Sequence, residues 1–373
     1  MEIIGLIERV EKLPDKRRTS HGNIQHKLVD IVTIGFLTIL CKGQTFVDME
    51  AFAETRFEWL RNKVHLELKG GVPDSDTFRR VFEWMDPKEL SNCLWDWLEY
   101  ERKARCVVGI DGKTERGSGN EAHSAYHIVT AFIAENQITL GEVVTEEKSN
   151  EITAVPELLK LIDVKGDIVT ADAMSCQKEI VKEIVRKGAD YTIGLKGNQP
   201  KLESDTIEWF EAFGDTLEVL KTDDIGHGRI EHREYRLLTN LSWLEQKKEW
   251  TGLKGLGMVK SHVIDKKTGK ETEFVRYFIT SLTNLEEFAY SVRKHWSIEN
   301  QLHWRLDVIF REDSSKAKKD NSPLNLNVMR KVSLSLLHQR KAKMPKRTSM
   351  NKLMFMCALN SDYLIEVLFP ELK

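Results

Sequence analysis

Residues 107–119 read VVGIDGKTERGSG. Val107, Val108 and Ile110 form an apolar run without polar alternation, the pattern of a strand covered on both faces. The strand is expected to end at Asp111, with Lys113 and Arg116 just beyond it. Asp-Gly is a common turn pair, which gives Asp111 an ordinary reading. An acid delivered to a strand end is equally a way to hold a metal ion. One Asp does not decide between them, so the surrounding chain must.

Downstream, AYHIVTAFIAE (125–135) and ITLGEVVTEE (138–147) read as strands that join the first in an antiparallel meander. EITAVPELLKLI (151–162) is helical, GDIVTADA (166–173) a strand, CQKEIVKEIVRKG (176–188) a helix and ADYTIGL (189–195) a strand. Strands that then alternate with helices imply an α/β layer with a mixed sheet. The order β-β-β-α-β-α-β is ribonuclease H-like. Residues 215–282 hold short β-like stretches punctuated by glycines, read as a β-rich insertion, and a helix resumes from about Glu286 to Phe310.

Upstream, residues 1–104 look helical, with Leu28, Ile31, Ile34, Leu37 and Leu40 at helical spacing. The run LVDIVTIGFLTILC (28–41) is too short to span a bilayer, carries Asp30 and follows a polar, charged stretch, so it reads as a buried helix and not as a membrane span or signal. In GGVPDSDTFRRVFEWMDP (70–87), Asp74 or Ser75 caps a helix carrying Phe78, Val81, Phe82 and Met85. Arg79 and Arg80 fall on its exposed side, where a solvated face is favoured over a helix-turn-helix contact with DNA.

The 373 residues suit two domains, and 41% hydrophobic with 31% charged residues fits a globular protein. A formal charge of −2 gives no global signal for nucleic acid, so any such signal is local. Residues 311–347 supply one, with eleven Lys/Arg against three Asp/Glu, read either as a footprint for DNA backbone or as a charged surface helix. Five cysteines without a Cys-x-x-Cys pair argue against a disulfide framework or structural zinc and fit a reducing cytoplasm. There is no Gly-x-Ser-x-Gly elbow, and Cys176 has no motif-level base, so acyl transfer fits poorly.

The acids carry the chemistry. Asp172 ends the strand IVTADA, a neighbour of the first strand in this order, so Asp111 and Asp172 can lie side by side. A third acid, Glu299, lies in KHWSIENQLHWRLDVIF (294–310). There His295, Glu299, His303 and Asp307 recur every four residues beside the apolar face of Trp296, Ile298, Leu302, Leu306 and Ile309. Each acid alone has an ordinary reading: turn residue, helix cap, or helix-surface pair with a histidine. The set His295, Glu299, His303 lacks the His-Glu-x-x-His spacing of zinc hydrolases, and zinc is disfavoured. Trp296 and Trp304 are expected in the core rather than as stacking platforms.

Taken in order, IDGKTERGS (110–118), AYHIVTAF (125–132), EKSNEITAVPELL (147–159), TADAMSCQKEI (170–180), YTIGLKGNQ (191–199), GHGRIEHR (226–233) and RKHWSIENQLHWRLDVIFRED (293–313) resemble the bacterial H-repeat-associated DDE transposases of the insertion-sequence superfamily. PDSDTFRRVFEWMDP (73–87) resembles the domain that precedes the catalytic domain there. The resemblance spans nearly the whole chain. It implies a helical domain at 1–104, a ribonuclease H-like catalytic domain at 105–345 with the insertion at about 215–282, and a tail at 346–373.

The resemblance also implies Asp111, Asp172 and Glu299 as catalytic acids holding two Mg²⁺ (or Mn²⁺) ions. One ion would activate water or a DNA 3′-hydroxyl, and the other would stabilise the leaving 3′-oxygen. The partner would be double-stranded DNA, as transposon ends and target, bound by a homodimer in the cytoplasm at the nucleoid, with no membrane. Lys113, Arg116, Lys196, Asn198 and Gln199 are candidate DNA contacts, with Gly197 allowing close backbone approach. His227, Arg229 and Arg233 of the insertion join them, as do His295, Asn300 and His303. In many relatives a Tyr, an Arg and a Lys flank the Glu at positions occupied here by Val292, His295 and Leu306. A nuclease of the same fold, and an inactive DNA-binding relic, are the rival readings.

Overall fold

The computed structural model describes residues 2–17, 24–98, 100, 102–119, 124–145, 151–226 and 228–369. The N-terminal part is helical: α1 (Glu2–Val10), α2 (Leu28–Leu40), α3 (Phe46–Thr55), α4 (Phe57–Asn62), α5 (Ser75–Trp84) and α6 (Pro87–Trp97). Every residue of α2 is buried, including Asp30, whose Oδ2 accepts from the Leu68 N–H at 3.3 Å. Asp74 caps α5, accepting from the Thr77 N–H at 2.6 Å, and Arg79 is tied to Asp76 and Glu83 on the same helix. Among the described residues no helix is long and apolar enough to cross a membrane.

The sheet begins with β1 (Val107–Thr114), β2 (His127–Ile133) and β3 (Ile138–Thr145), an antiparallel meander. Helix α7 (Glu151–Leu161) leads to β4 (Ile168–Ala171), and α8 (Lys178–Arg186) leads to β5 (Asp190–Leu195). The β1–β4 and β4–β5 pairs are parallel. The first four residues of β1 are buried, as a central strand with both faces covered requires.

After α9 (Pro200–Phe213) come β6 (Leu220–Gly226), β7 (Arg229–Leu238), β8 (Gly255–Asp265) and β9 (Glu271–Thr280), an antiparallel run. β9 pairs with β5, so the segment read as an insertion extends the central sheet. The described strands form one nine-stranded sheet, β3-β2-β1-β4-β5-β9-β8-β7-β6. This covers the edge that β5 would otherwise expose. Thr192 and Thr280 pair across the junction with hydroxyls 3.1 Å apart.

Helix α10 (Leu285–Ser297), capped by Asn284, crosses the sheet over β1 and β4. A single continuous helix was expected here, but a π-helical turn spans Ile298–His303 before α11 (Trp304–Val308). Ile298, Leu302 and Leu306 are all buried, so the widened turn keeps the apolar stripe inward while turning Glu299 and His303 toward β1. Trp296 and Trp304 are 40% and 52% exposed, which corrects their expected place in the core: both ride the outer face of this helical run.

Helices α12 (Ser322–Ala342), α13 (Met350–Leu359) and α14 (Ser361–Leu368) share one apolar core with α1–α6. The Asn325 side chain donates to the carbonyls of Phe82 and Met85, both at 2.8 Å, closing the C-terminal end of α5. The basic segment 311–347 is therefore divided. Lys316 and Lys346 are exposed, whereas Arg330 and Lys331 are buried and paired internally.

Candidate active site

Register brings the first two acids together. Ile110 pairs with Ala171 across the parallel β1–β4 ladder, so Asp111 and Asp172 are the next residues on adjacent strands. The ladder stops there because β4 ends. β1 does not end at Asp111 as expected. It continues to Thr114 because β2 keeps pairing with it, Asp111 opposite Thr130. Asp172 leaves β4 and caps the turn Ala173–Ser175, its Oδ1 accepting from the Met174 N–H at 2.9 Å.

Glu299 and His303 reach the same place from the π-helical turn. Ligand-type atoms of Asp111, Glu299 and His303 all lie within 4.8 Å of one another. His303 Nδ1 stands 3.4 Å from Asp111 Oδ2 and 3.3 Å from Glu299 Oε2. Burial alone would push His303 down, but its hydrogen bonds to the two acids raise it. Burial likewise pushes Asp111 up, and the His303 hydrogen bond and imidazole charges outweigh that and hold it below the usual carboxylate range. Asp172 goes the other way, raised by burial and by the charges of Glu151 and Asp111. His295 is lowered by burial, and its Nδ1 lies 3.1 Å from Thr170 Oγ1, on the strand residue two before Asp172. Two carboxylates and an imidazole that converge, with a third carboxylate on the next strand, are a donor set that fits divalent cations.

A fourth acid escaped the sequence reading. Glu151, the first residue of α7, is buried and holds His127 Nε2 at 2.6 Å, while His127 Nδ1 lies 2.9 Å from Thr114 Oγ1. This pair presses on β1 beside Asp111. A Cβ on Gly112 would stand 2.3 Å from His127 Nε2 and 2.5 Å from Glu151 Oε1, so a side chain there would have to displace this pair. The signal was present in Asp-Gly of 107–119, where the turn reading masked a steric one.

The candidate DNA contacts divide by what holds them. Lys113 is only 14% exposed, with Nζ 2.6 Å from both Asp307 and Glu312, so its charge serves an internal network and not a phosphate. Glu312 is drawn below its usual range by Lys113 and Arg330 despite burial, whereas burial and the Glu312 charge raise Glu115 well above its own. Arg116 is exposed, its backbone N–H donating to Asp313 at 3.2 Å. The Asn198 amide donates to the Ala173 carbonyl at 2.7 Å and the Gln199 amide to the Cys176 carbonyl at 2.9 Å. Both therefore clamp the turn that follows Asp172. Gly197 has no positive φ and nothing crowds its Cβ position. Lys196 is exposed.

Two grooves flank the acids. One, of about 750 Å³, runs along the extension strands and is lined by Arg229, Arg233, Arg276, Trp296, Glu299 and Asn300. The other, of about 610 Å³, holds Asp172, Lys196, His295 and Arg276. Trp296 borders both, with the Arg276 guanidinium 4.9 Å from its ring centre. Arg233 is paired with Asp224 and Glu231, while Arg229 is exposed; His227 lies outside the described residues.

A family model described as "Transposase DDE domain" matches residues 102–336, and one described as "DDE_Tnp_1-associated" matches residues 7–98. The protein named "Putative transposase YncI" of Escherichia coli O157:H7 is 36% identical over 99% of this chain and 95% of its own length. The protein named "H repeat-associated putative transposase YhhI" of Escherichia coli K12 is 34% identical over 99% of this chain and 98% of its own length.

Proposed function

The chain belongs to the DDE transposases, of the H repeat-associated type, and from that premise we propose that it cleaves the ends of an insertion sequence and joins them to target DNA, with Asp111, Asp172 and Glu299 as its acids. The observation that supports this is the register Ile110 to Ala171, after which Asp111 and Asp172 are the next residues on adjacent strands, together with the approach of Glu299 to Asp111 from the π-helical turn. A ribonuclease H-like catalytic fold is part of the reading, supported by the order β3-β2-β1-β4-β5 with β1, β4 and β5 parallel. Residues 1–104 are then an accessory domain, 105–345 the catalytic domain, and 346–373 a tail whose helices α13 and α14 share the accessory domain's apolar core.

Two Mg²⁺ or Mn²⁺ ions held by the three acids would supply an activated water or 3′-hydroxyl and stabilise the leaving 3′-oxygen. The chain's own part is placement. Met174 N–H holds the Asp172 carboxylate, and Asn198 and Gln199 hold the turn that carries it. Arg229 and Asn300 on one side of the Trp296–Arg276 ridge, and Lys196 on the other, are disposed to take phosphates of a DNA strand crossing the acids. Two ends must be held for joining, so a homodimer on DNA belongs to the same proposal.

The test is strand transfer of a pre-cleaved end into a supercoiled plasmid. Joining by wild type and none by Asp111→Asn supports a transposase. Cleavage of intact ends without joining points to a nuclease, and end binding with neither reaction to a relic. The relic is disfavoured because the converging acids are intact.

A further inference from the structure

The cation site proposed above is built from more than carboxylates. A cation that keeps its donors at about 2.1 Å in octahedral geometry sets neighbouring donors about 3.0 Å apart. His303 Nδ1 stands 3.4 Å from Asp111 Oδ2 and 3.3 Å from Glu299 Oε2, close to that spacing on both sides. The side chain is 5% exposed and enters from a buried position, so it is not placed to reach out to a DNA strand.

The far side of the ring completes the pattern. An imidazole that ligates through Nδ1 carries its proton on Nε2 and needs an acceptor there. His303 Nε2 is buried without a partner among the described residues. It shares a small internal cavity with Glu115 and Asn327, and among the described residues neither Glu115 carboxyl oxygen nor Asn327 Oδ1 makes a hydrogen bond, Arg330 Nη1 standing 3.6 Å from Glu115 Oε1. The unpartnered ring nitrogen therefore borders the same cavity as oxygens with unused acceptor capacity.

We propose that His303 is a nitrogen ligand of the cation held by Asp111 and Glu299, making this a mixed imidazole–carboxylate position selective for Mn²⁺ over Mg²⁺. The inference rests on the reading of those acids as metal ligands. Imidazole suits transition metals, while an all-oxygen site suits Mg²⁺ equally well. The three donors form one position, and Asp172, outside the 4.8 Å group, belongs to a second, oxygen-only position.

Pulsed electron paramagnetic resonance on the full-length protein loaded with Mn²⁺, without DNA, reads nitrogen ligation directly. The expected result is ¹⁴N modulation of the Mn²⁺ echo that is replaced by ¹⁵N modulation when the histidines are ¹⁵N-labelled. His295→Gln retains the modulation. His303→Gln loses it and binds Mn²⁺ roughly ten-fold or more weakly, with a much smaller change for Mg²⁺. Mn²⁺ bound without histidine modulation in the labelled wild type overturns the proposal without needing any variant to fold. So does modulation that survives His303→Gln or disappears in His295→Gln. If Asp111→Asn binds Mn²⁺ as wild type does, or wild type binds none, the reading of the acids fails and this inference with it.

Discussion

Lys113 Nζ lies 2.6 Å from Oε2 of Glu312, a fully buried carboxylate 199 residues further along the chain. The contact ties the IDGKTERGS stretch to the end of the Glu299 helical run, and Asp307 takes the same ammonium at 2.6 Å. Much of the family-like pattern around Asp111 therefore holds the site together instead of touching DNA.

Lys113→Met takes from the buried Glu312 its nearest cation and leaves Arg330, 3.9 Å away, as the other. Removing one partner of a buried pair costs about 3–5 kcal/mol. The expected outcome is a large loss of thermal stability, with the salt dependence of DNA binding by the remaining folded protein unchanged. A reduced salt slope with unchanged stability would return Lys113 to the phosphate contacts.

Lys196 and the pair Asn198–Gln199 are adjacent and should separate cleanly. Lys196→Ala is expected to lower the slope of log affinity against log salt by roughly one, as for a lost phosphate contact. Asn198→Ala with Gln199→Ala frees the turn beyond Asp172 and loses about 0.5–1.5 kcal/mol per hydrogen bond. Its effect is expected in the cleavage rate, with DNA affinity near wild type. Equal losses of affinity in both variants would contradict the clamp.

The two buried carboxyls of the Lys113 network give a pH signature. Glu115 is raised in the folded protein by burial and by Glu312, so it keeps its proton where the unfolded chain has lost it. Stability is then complete below the ordinary glutamate value of about 4.3 and declines as pH rises from there toward the folded value. Glu115→Gln removes that decline. Its melting temperature relative to wild type should be higher at pH 8 than at pH 5, and a pH-independent difference would show that Glu115 is ionised in the fold.

Glu151→Gln keeps an acceptor for His127 Nε2–H and removes a charge that faces Asp172. Stability should stay near wild type. Glu151→Ala, which strands a buried imidazole, should cost about 1–3 kcal/mol. Calorimetry of both variants checks this, and equal destabilisation would mean that the pair depends on the Glu151 charge and not on the hydrogen bond.

The parts of the fold legible in the sequence were those set by local pattern. The unbroken apolar run of β1, the alternation of strands and helices after it and the Asp74 cap all follow from neighbours a few residues apart. The adjacency of Asp111 and Asp172 followed from strand order. What escaped depends on distant partners. Lys113, Arg330 and Lys331 read as free cations because the acids that hold them lie far along the chain. The π-helical turn was hidden because its apolar residues suit an ordinary helix, and the exposure of Trp296 and Trp304 was hidden because both are large apolar residues beside the buried stripe.

The most direct measurement of the central claim is divalent-cation-dependent nicking of the element's own end DNA by wild type and by Asp172→Asn. The Asn side chain can still accept from the Met174 N–H, so the turn is retained while the charge beside Asp111 is removed. The account predicts nicking by wild type in Mg²⁺ or Mn²⁺, none in chelator, and none by Asp172→Asn bound to the same DNA. Nicking by Asp172→Asn at the wild-type rate would contradict it.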